Sequence, residues 1–302
     1  LFSRLLKRNS IGDGNAVLIA LLLAALMPPG TPVHVALLAT LFAMAVVKWT
    51  FGGSGSYWVN PVAAGYVFAV ISFAGFGGDW IVPRGLGGPR RVGSSALQLV
   101  RGAETDAPSR LAEAYHRLAA VGTTAIDGRI TRLVNNVGGE FFGVRIPDGY
   151  ADLFLGNVAG TIGGASVALL LVGTIFVLGR TLVSTVIPLC FLASFSLLIY
   201  LFGGQPYGGP LFAGDVLFHL TTGATVLGAF FLATETVTAP LTSRGMVVYA
   251  VTAGALAALF RLYGPGVHAV VLAIFVVNMV VPLIDRYTLP RRYGTGRVGR
   301  AP

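Results

Sequence analysis

Charge is what this sequence has least of. Only 11% of its 302 residues are Asp, Glu, Lys or Arg, against about 25% in a soluble globular domain. That shortage excludes an ordinary water-facing fold. Cysteine is all but absent: Cys190 is the single one and lies inside an apolar run. It forms no internal disulfide, supplies no Cys-only metal site, and reads as a small buried hydrophobe. The chain also lacks a Walker loop, a nucleotide fingerprint after a strand, a Ser/His/Asp arrangement and a zinc-hydrolase motif, so nothing indicates a hydrolase. It opens LFSRLLKRNS, with neither an initiator Met nor a signal peptide, and the expectation is that an upstream piece precedes it.

What is present is apolar. Hydrophobic residues make up 55% of the chain, the mean hydropathy is +0.78, and the 41 glycines suit close helix packing in lipid. A span needs about 20 mostly apolar residues. Stretches near that length fall at 15–29, 32–48, 60–78, 152–179, 183–203, 212–238, 245–263 and 266–285. The expected fold is therefore an all-α polytopic membrane protein with about eight transmembrane helices. It divides into first membrane helices (1–79), a polar insert (80–147), a second membrane bundle (148–286) and a tail (287–302).

The insert carries nine Arg, is punctuated by GGPRR and DAPS, and contains one helical stretch, SRLAEAYHRLAAV. It reads as a small extramembrane subdomain. Arg4, Lys7, Arg8, Lys48, Arg180, Arg244, Arg286, Arg291, Arg292, Arg297 and Arg300 all fall on one side of an eight-span arrangement. The positive-inside rule makes that side cytoplasmic. The insert then lies outside, and its length takes its arginines beyond the rule's reach of roughly 60 residues. The net charge of +9 is accounted for by basic loops near the membrane, without nucleic acid.

An internal echo links residues 25–53 with 238–265: Pro28 and Pro240 stand 212 apart, as do Gly52 and Gly264. Such duplication marks transporter-like folds with pseudosymmetric halves. DGNA (13–16), FGGSGSYWVNP (51–61) and LGNVAGTIGGAS (155–166) break the apolar runs, and irregular backbone at membrane depth must line a cavity or be buried in protein. Helix ends and close packing are the plainer account. Asp13, Lys48, Asp152, Asp215, His219, Glu235 and Asp285 lie in or beside spans, where an ionisable group is a functional hypothesis. Asp215 and His219 share a helix face, yet two ligands do not make a zinc site, and His34, His116 and His268 show no metal spacing.

Five ordered blocks, GDGNAVLIALLLAALMPPGTP, KWTFGGSGSYWVNPVAAGYVFAVISF, LGNVAGTIGGAS, HLTTGATVLGAFFLATETVTAPLTSRG and NMVVPLIDRYTLPRRYG, resemble the RnfD/NqrB family, and the C-terminal block is nearest to RnfD. The likeness covers nearly all of the chain outside 80–147. It implies a membrane subunit of an ion-translocating redox complex of the ferredoxin:NAD oxidoreductase type, coupling electron transfer to Na⁺ or H⁺ movement and inactive alone. It further implies ten spans, two of them upstream of Leu1, in inverted halves resembling urea transporters. The setting would be the bacterial inner membrane, with both ends of this chain cytoplasmic. The implied partners are an outer-face flavoprotein subunit, paired cluster-bearing membrane subunits and a cytoplasmic NAD/ferredoxin module.

The resemblance also implies FMN joined through its phosphate to a Thr hydroxyl between the third and fourth spans. Thr124, in Val121-Gly122-Thr123-Thr124-Ala125-Ile126-Asp127, is the position that matches. Thr123 stands where the pattern has Ala, Val121 where it has Ser or Thr, and Leu118 where it has Asp; Gly164 stands where a related block carries Glu. Thr225 in Thr222-Gly223-Ala224-Thr225 mimics an attachment motif but belongs to a helix-borne block, where such hydroxyls bond the preceding turn. Arg117, Arg129 and Arg132 are the basic groups expected to balance the phosphate, solvated loop charge being the plainer account. Asn60 and Asn157, at two of the breaks, are expected to border a second flavin, of FMN or riboflavin type, or an ion path. A small-solute channel of urea-transporter-like fold and a flavin-free scaffold stay open beside this reading.

Overall fold

A computed structural model describes residues 14–53, 55–73, 76, 80–83, 90–101, 110–119, 123–142, 146–180, 184–264 and 266–289, without the side chains of 90 and 137–142. Asp13, Val121, Gly122, the N-terminal basic residues and the basic tail from Arg291 lie outside these residues.

The apolar stretches fold as helices. α1 (Asn15–Leu26), α2 (Val33–Phe42, continuing as a π-helix to Trp49) and α3 (Pro61–Ser72) come first. After the insert follow α7 (Tyr150–Leu155), α8 (Val167–Gly179), α9 (Val186–Phe202), α10 (Val216–Thr221), α11 (Thr225–Leu227, continuing as a π-helix to Leu232), α12 (Ser243–Tyr263) and α13 (Ala269–Thr288). Among the described residues, three segments are long and apolar enough to cross a membrane: Val186–Tyr207, Ser243–Tyr263 and Gly266–Thr288. Asn15–Leu26, Val33–Trp49, Pro61–Ser72 and Val167–Gly179 are shorter apolar helices. The stretch 152–179 divides at 156–166, and 212–238 divides at Thr222–Ala224.

The caps explain these boundaries. Asn60 Oδ1 accepts from the Val62 and Ala63 amides ahead of Pro61 at the first helical turn, a start that needs no proline N–H. Asp215, Ser166 and Thr242 cap α10, α8 and α12 in the same way. The second division follows from backbone conformation: Gly223 (φ +65°) and Ala224 (φ +57°) are left-handed, which no continuous helix of L-residues tolerates.

The echo has a structural counterpart. After Pro28 and after Pro240 comes a helix, α2 or α12, followed by a second helix, α3 or α13, packed on it, and α3 and α13 meet each other. Small residues set the approach: a Cβ on Gly254 would strike the Phe191 carbonyl of α9, and one on Gly65 would come within 2.8 Å of the Ala39 carbonyl of α2.

The insert amends the all-α expectation. Its first elements are β1 (Trp80–Val82) and β2 (Arg90–Val92), an antiparallel pair with Trp80 opposite Val92. Runs of three residues are too short to show strand periodicity. α4 (Ala96–Arg101), α5 (Leu111–Leu118) and α6 (Ala125–Phe142) complete it. The insert does not close its own core: Trp80, Leu97, Leu111 and Tyr115 bury against Tyr150, Leu153, Phe218 and Val267 of the later segments. Arg101 fastens the edge, donating to the carbonyls of Gly264 and Leu262 at 2.7 Å each.

Candidate functional site

Thr124 stands at the head of α6 and caps it. Its Oγ1 accepts from the Asp127 amide at 3.2 Å, the bond that makes Thr a helix starter. The hydroxyl hydrogen goes elsewhere, to Asp152 Oδ1 of α7 at 2.5 Å, while the Thr124 amide donates to Asp152 Oδ2 at 2.8 Å. Asp127 is fully buried and answers from the other side, accepting from the Gly149 and Asp152 amides at 2.8 and 3.1 Å. A carboxylate at the start of α7 suits the free amides and dipole there. The ring of His116, whose Nε2 lies 3.2 Å from the Gly149 carbonyl, closes the turn; a Cβ on Gly149 (φ +97°) would strike it at 2.5 Å. Two carboxylates therefore lock α6 to α7 and leave a half-buried threonine oxygen held by an acidic acceptor. Tyr115 bridges the same seam, accepting from the Ala159 amide at 3.0 Å, and burial pushes its phenol up to about 12.

Asp152, singled out in the sequence only as an ionisable group beside a span, is the carboxylate that motif reading did not place at Thr124. Leu118, where the pattern calls for Asp, is 45% exposed on α5; the carboxylate at the Thr124 hydroxyl comes from 28 residues downstream. Arg117, Arg129 and Arg132 are exposed, and the Arg132 Nε donates to the Gly128 carbonyl.

Thr225 has the opposite setting. It is 1% exposed, donates to the His219 and Thr222 carbonyls at 3.0 Å each, and accepts from Arg261 Nη2 at 2.7 Å. Arg261 also donates to the Thr222 and Gly223 carbonyls, so a buried cation binds the carbonyl end of the broken helix. Gly164 packs against this break: a Cβ there would lie 2.9 Å from that of Ala224, leaving no room for the Glu of related blocks. Asp215 is fully engaged, by the Phe218 and Leu111 amides and by the Tyr150 hydroxyl. No group of three or more potential metal ligands occurs among the described residues.

Asn60 and Asn157 are not brought together. Asn157 lies beside the insert, its Oδ1 buried without a partner among the described residues. Asn60 lies at the start of α3, away from the insert, with its Nδ2 on the Leu232 carbonyl at 3.1 Å. There it borders a cavity of about 380 Å³ with Asn15, Leu18, Phe231, Thr234 and Glu235. The Glu235 carboxyl accepts from Tyr57 at 2.5 Å and from Thr238 at 3.4 Å.

Apolar helices broken at polar turns, capped by an insert that shares their core, define a multi-pass helical membrane protein. The sequence matches the profile of the NQR2, RnfD, RnfE family over residues 1–294, and the chain belongs to that family. It is 31% identical over 291 residues to the D-type subunit of the proton-translocating ferredoxin:NAD(+) oxidoreductase complex of Clostridium ljungdahlii, covering 96% of this chain and 78% of that protein. It is similar at 32% over 297 residues to the D-type subunit of the ion-translocating oxidoreductase complex of Pectobacterium atrosepticum, covering 96% and 80%. The corresponding protein of Sodalis glossinidius is 34% identical over 290 residues, covering 95% and 79%.

Proposed function

We propose that this chain is the D-type membrane subunit of an ion-translocating oxidoreductase complex of the ferredoxin:NAD type, and that it carries FMN joined through phosphate to Thr124. Family membership and the names of its relatives support the first part. One observation carries the second: a half-exposed threonine hydroxyl aimed at a carboxylate. That arrangement fits phosphoester attachment from an activated flavin pyrophosphate donor: the Thr124 oxygen bonds to the FMN phosphorus, the pyrophosphate P–O bond breaks, the remaining phosphate half leaves, and Asp152 is positioned to take the proton the oxygen must lose. Asp127 and Gly149 hold Asp152 in place. Thr225, buried and with its hydroxyl committed, offers no such oxygen.

When bound, the flavin supplies one- and two-electron chemistry that no side chain here provides. The protein's share is position: a covalent anchor removes the cost of capturing the cofactor at each turnover. Electrons would pass between it and centres on the outer-face flavoprotein subunit, the cluster-bearing membrane pair and the cytoplasmic NAD/ferredoxin module. The cavity at Asn60 is the place we assign to a second flavin of riboflavin type or to the Na⁺ or H⁺ path, since amide and carboxyl groups converge there. The described helices are the larger part of an eight-span segment of a urea-transporter-like fold in the bacterial inner membrane, with both ends of this chain cytoplasmic.

The test is a denaturing gel of the purified complex from a flavinylating host, viewed under ultraviolet light, with the labelled peptide identified by mass. Fluorescence on the peptide containing Thr124, absent from Thr124→Ala, is the expected result. No label, together with solute flux into liposomes without a redox donor, would replace this reading with that of a channel.

A further inference from the structure

Arg261 of α12 is 1% exposed and reaches the break between α10 and α11. Its Nη2 donates to the Thr222 and Gly223 carbonyls and to the Thr225 hydroxyl, and the Phe195 ring centre lies 5.8 Å from the guanidinium carbon. None of these partners is a carboxylate. Nε and Nη1 have no acceptor among the described residues. His219, in the last turn of α10, is fully buried, and neither of its ring nitrogens has a partner among the described residues. The Thr225 hydroxyl joins the two residues, receiving Arg261 and donating to the His219 carbonyl, and the guanidinium charge acts on the His219 ring. A charge buried without a counter-charge or a full set of hydrogen bonds is costly. The negative dipole end of α10 supplies only a fraction of a charge, and it does so through one guanidinium nitrogen of three.

We propose that a compact monovalent anion, of the chloride class, binds beside Nε and Nη1 of Arg261 and accepts a further hydrogen bond from the His219 ring. The inference stands apart from the Thr124 reading. A guanidinium is always charged and holds its donors in one plane, and a neutral imidazole adds one N–H. A halide accepts from several such donors at once, with no preferred direction. The second imidazole nitrogen, an acceptor, suits a water that hydrates the anion. Size follows from glycine: a Cβ on Gly223 would lie 2.2 Å from Nη1 and 2.7 Å from the guanidinium carbon. The room on that side is what the missing side chain leaves, which suits a single atom rather than a phosphate or a carboxylate ligand. With the anion in place the cation is neutralised, and α10, α11 and α12 are tied at one point.

The experiment follows thermal unfolding of the full chain in detergent while sodium gluconate is exchanged for sodium chloride, so that Na⁺ and ionic strength stay fixed. Chloride at about 100 times its Kd is expected to raise Tm by about 5 °C, and bromide is expected to do the same. His219→Phe, which keeps a buried ring and removes its donor, should raise the chloride concentration needed for half the shift about tenfold. Arg261→Gln, which removes the charge, should abolish the response. Because Arg261→Gln can fail to fold, binding is also read on the unaltered chain: the chloride NMR line should broaden when protein is added and narrow again when bromide competes. Equal Tm in gluconate and chloride, with no broadening that bromide reverses, overturns the proposal and leaves the guanidinium to buried water. A chloride response that survives in a folded Arg261→Gln places the anion elsewhere and overturns it as well.

Discussion

Thr124 and Thr225 are alike in local sequence and opposite in circumstance. Both stand at helix starts, with an Ala beside them and another Thr one or three residues before. Thr225 spends its hydrogen on backbone carbonyls at a break in a buried helix and receives Arg261 in return. Thr124 spends its hydrogen on a carboxylate at the edge of the insert and remains half exposed. A hydroxyl bonded to carbonyls has a structural task, since a carbonyl takes no proton; one bonded to a carboxylate in reach of solvent can be converted. The neighbouring groups, rather than the motif, separate the fastener from the proposed reactive site.

Four substitutions test that contrast, from the largest expected effect downward. Gly223→Ala drives a Cβ into the Arg261 guanidinium at a left-handed position, and should lower stability by more than about 2 kcal/mol, seen as a lower Tm in detergent. Asp127→Ala, which strips two buried amides of their acceptor, should cost about 2 kcal/mol and reduce label as α7 loosens; Asp127→Asn should recover part of both. Thr225→Val removes the hydroxyl that bonds the His219 carbonyl and receives Arg261, about 1.5 kcal/mol by Tm, with the flavin label intact; loss of label there would reverse the contrast. Thr124→Ala removes a helix cap worth about 1 kcal/mol and one of the two bonds to Asp152, whose tie to the Thr124 amide stays; it is expected to be the mildest change in stability and the one that abolishes label.

The apolar segments were legible because spans must be long and free of charge, and the breaks at Asn60 and Gly156 because Gly, Asn and Pro punctuate them. The division of 212–238 was not marked: Ala224 in the left-handed region is imposed by packing against Gly164 and by Arg261 drawing in the Thr222 and Gly223 carbonyls. Arg261 itself looks like an end-of-helix interfacial charge, yet it is 1% exposed with two of its nitrogens unpartnered among the described residues. At the candidate attachment site, the sequence pattern pointed to Thr124 but not to its partner Asp152, because the tie between them is made by folding across 28 residues. The insert read as a separate subdomain since its composition is polar; its shared core depends on Phe218 and Val267, which in sequence belong to apolar runs.

That shared core has a consequence for biogenesis. A ribosome delivers residues 80–147 well before Phe218 and Val267, so during synthesis the insert waits with Trp80 and Leu111 uncovered until the last helices arrive. The Thr124–Asp152 pair is thus framed by parts of the protein made at quite different times. A modifying enzyme that requires the finished seam would mark only chains whose membrane bundle has assembled, and flavin content would then report on completed folding as well as on redox capacity.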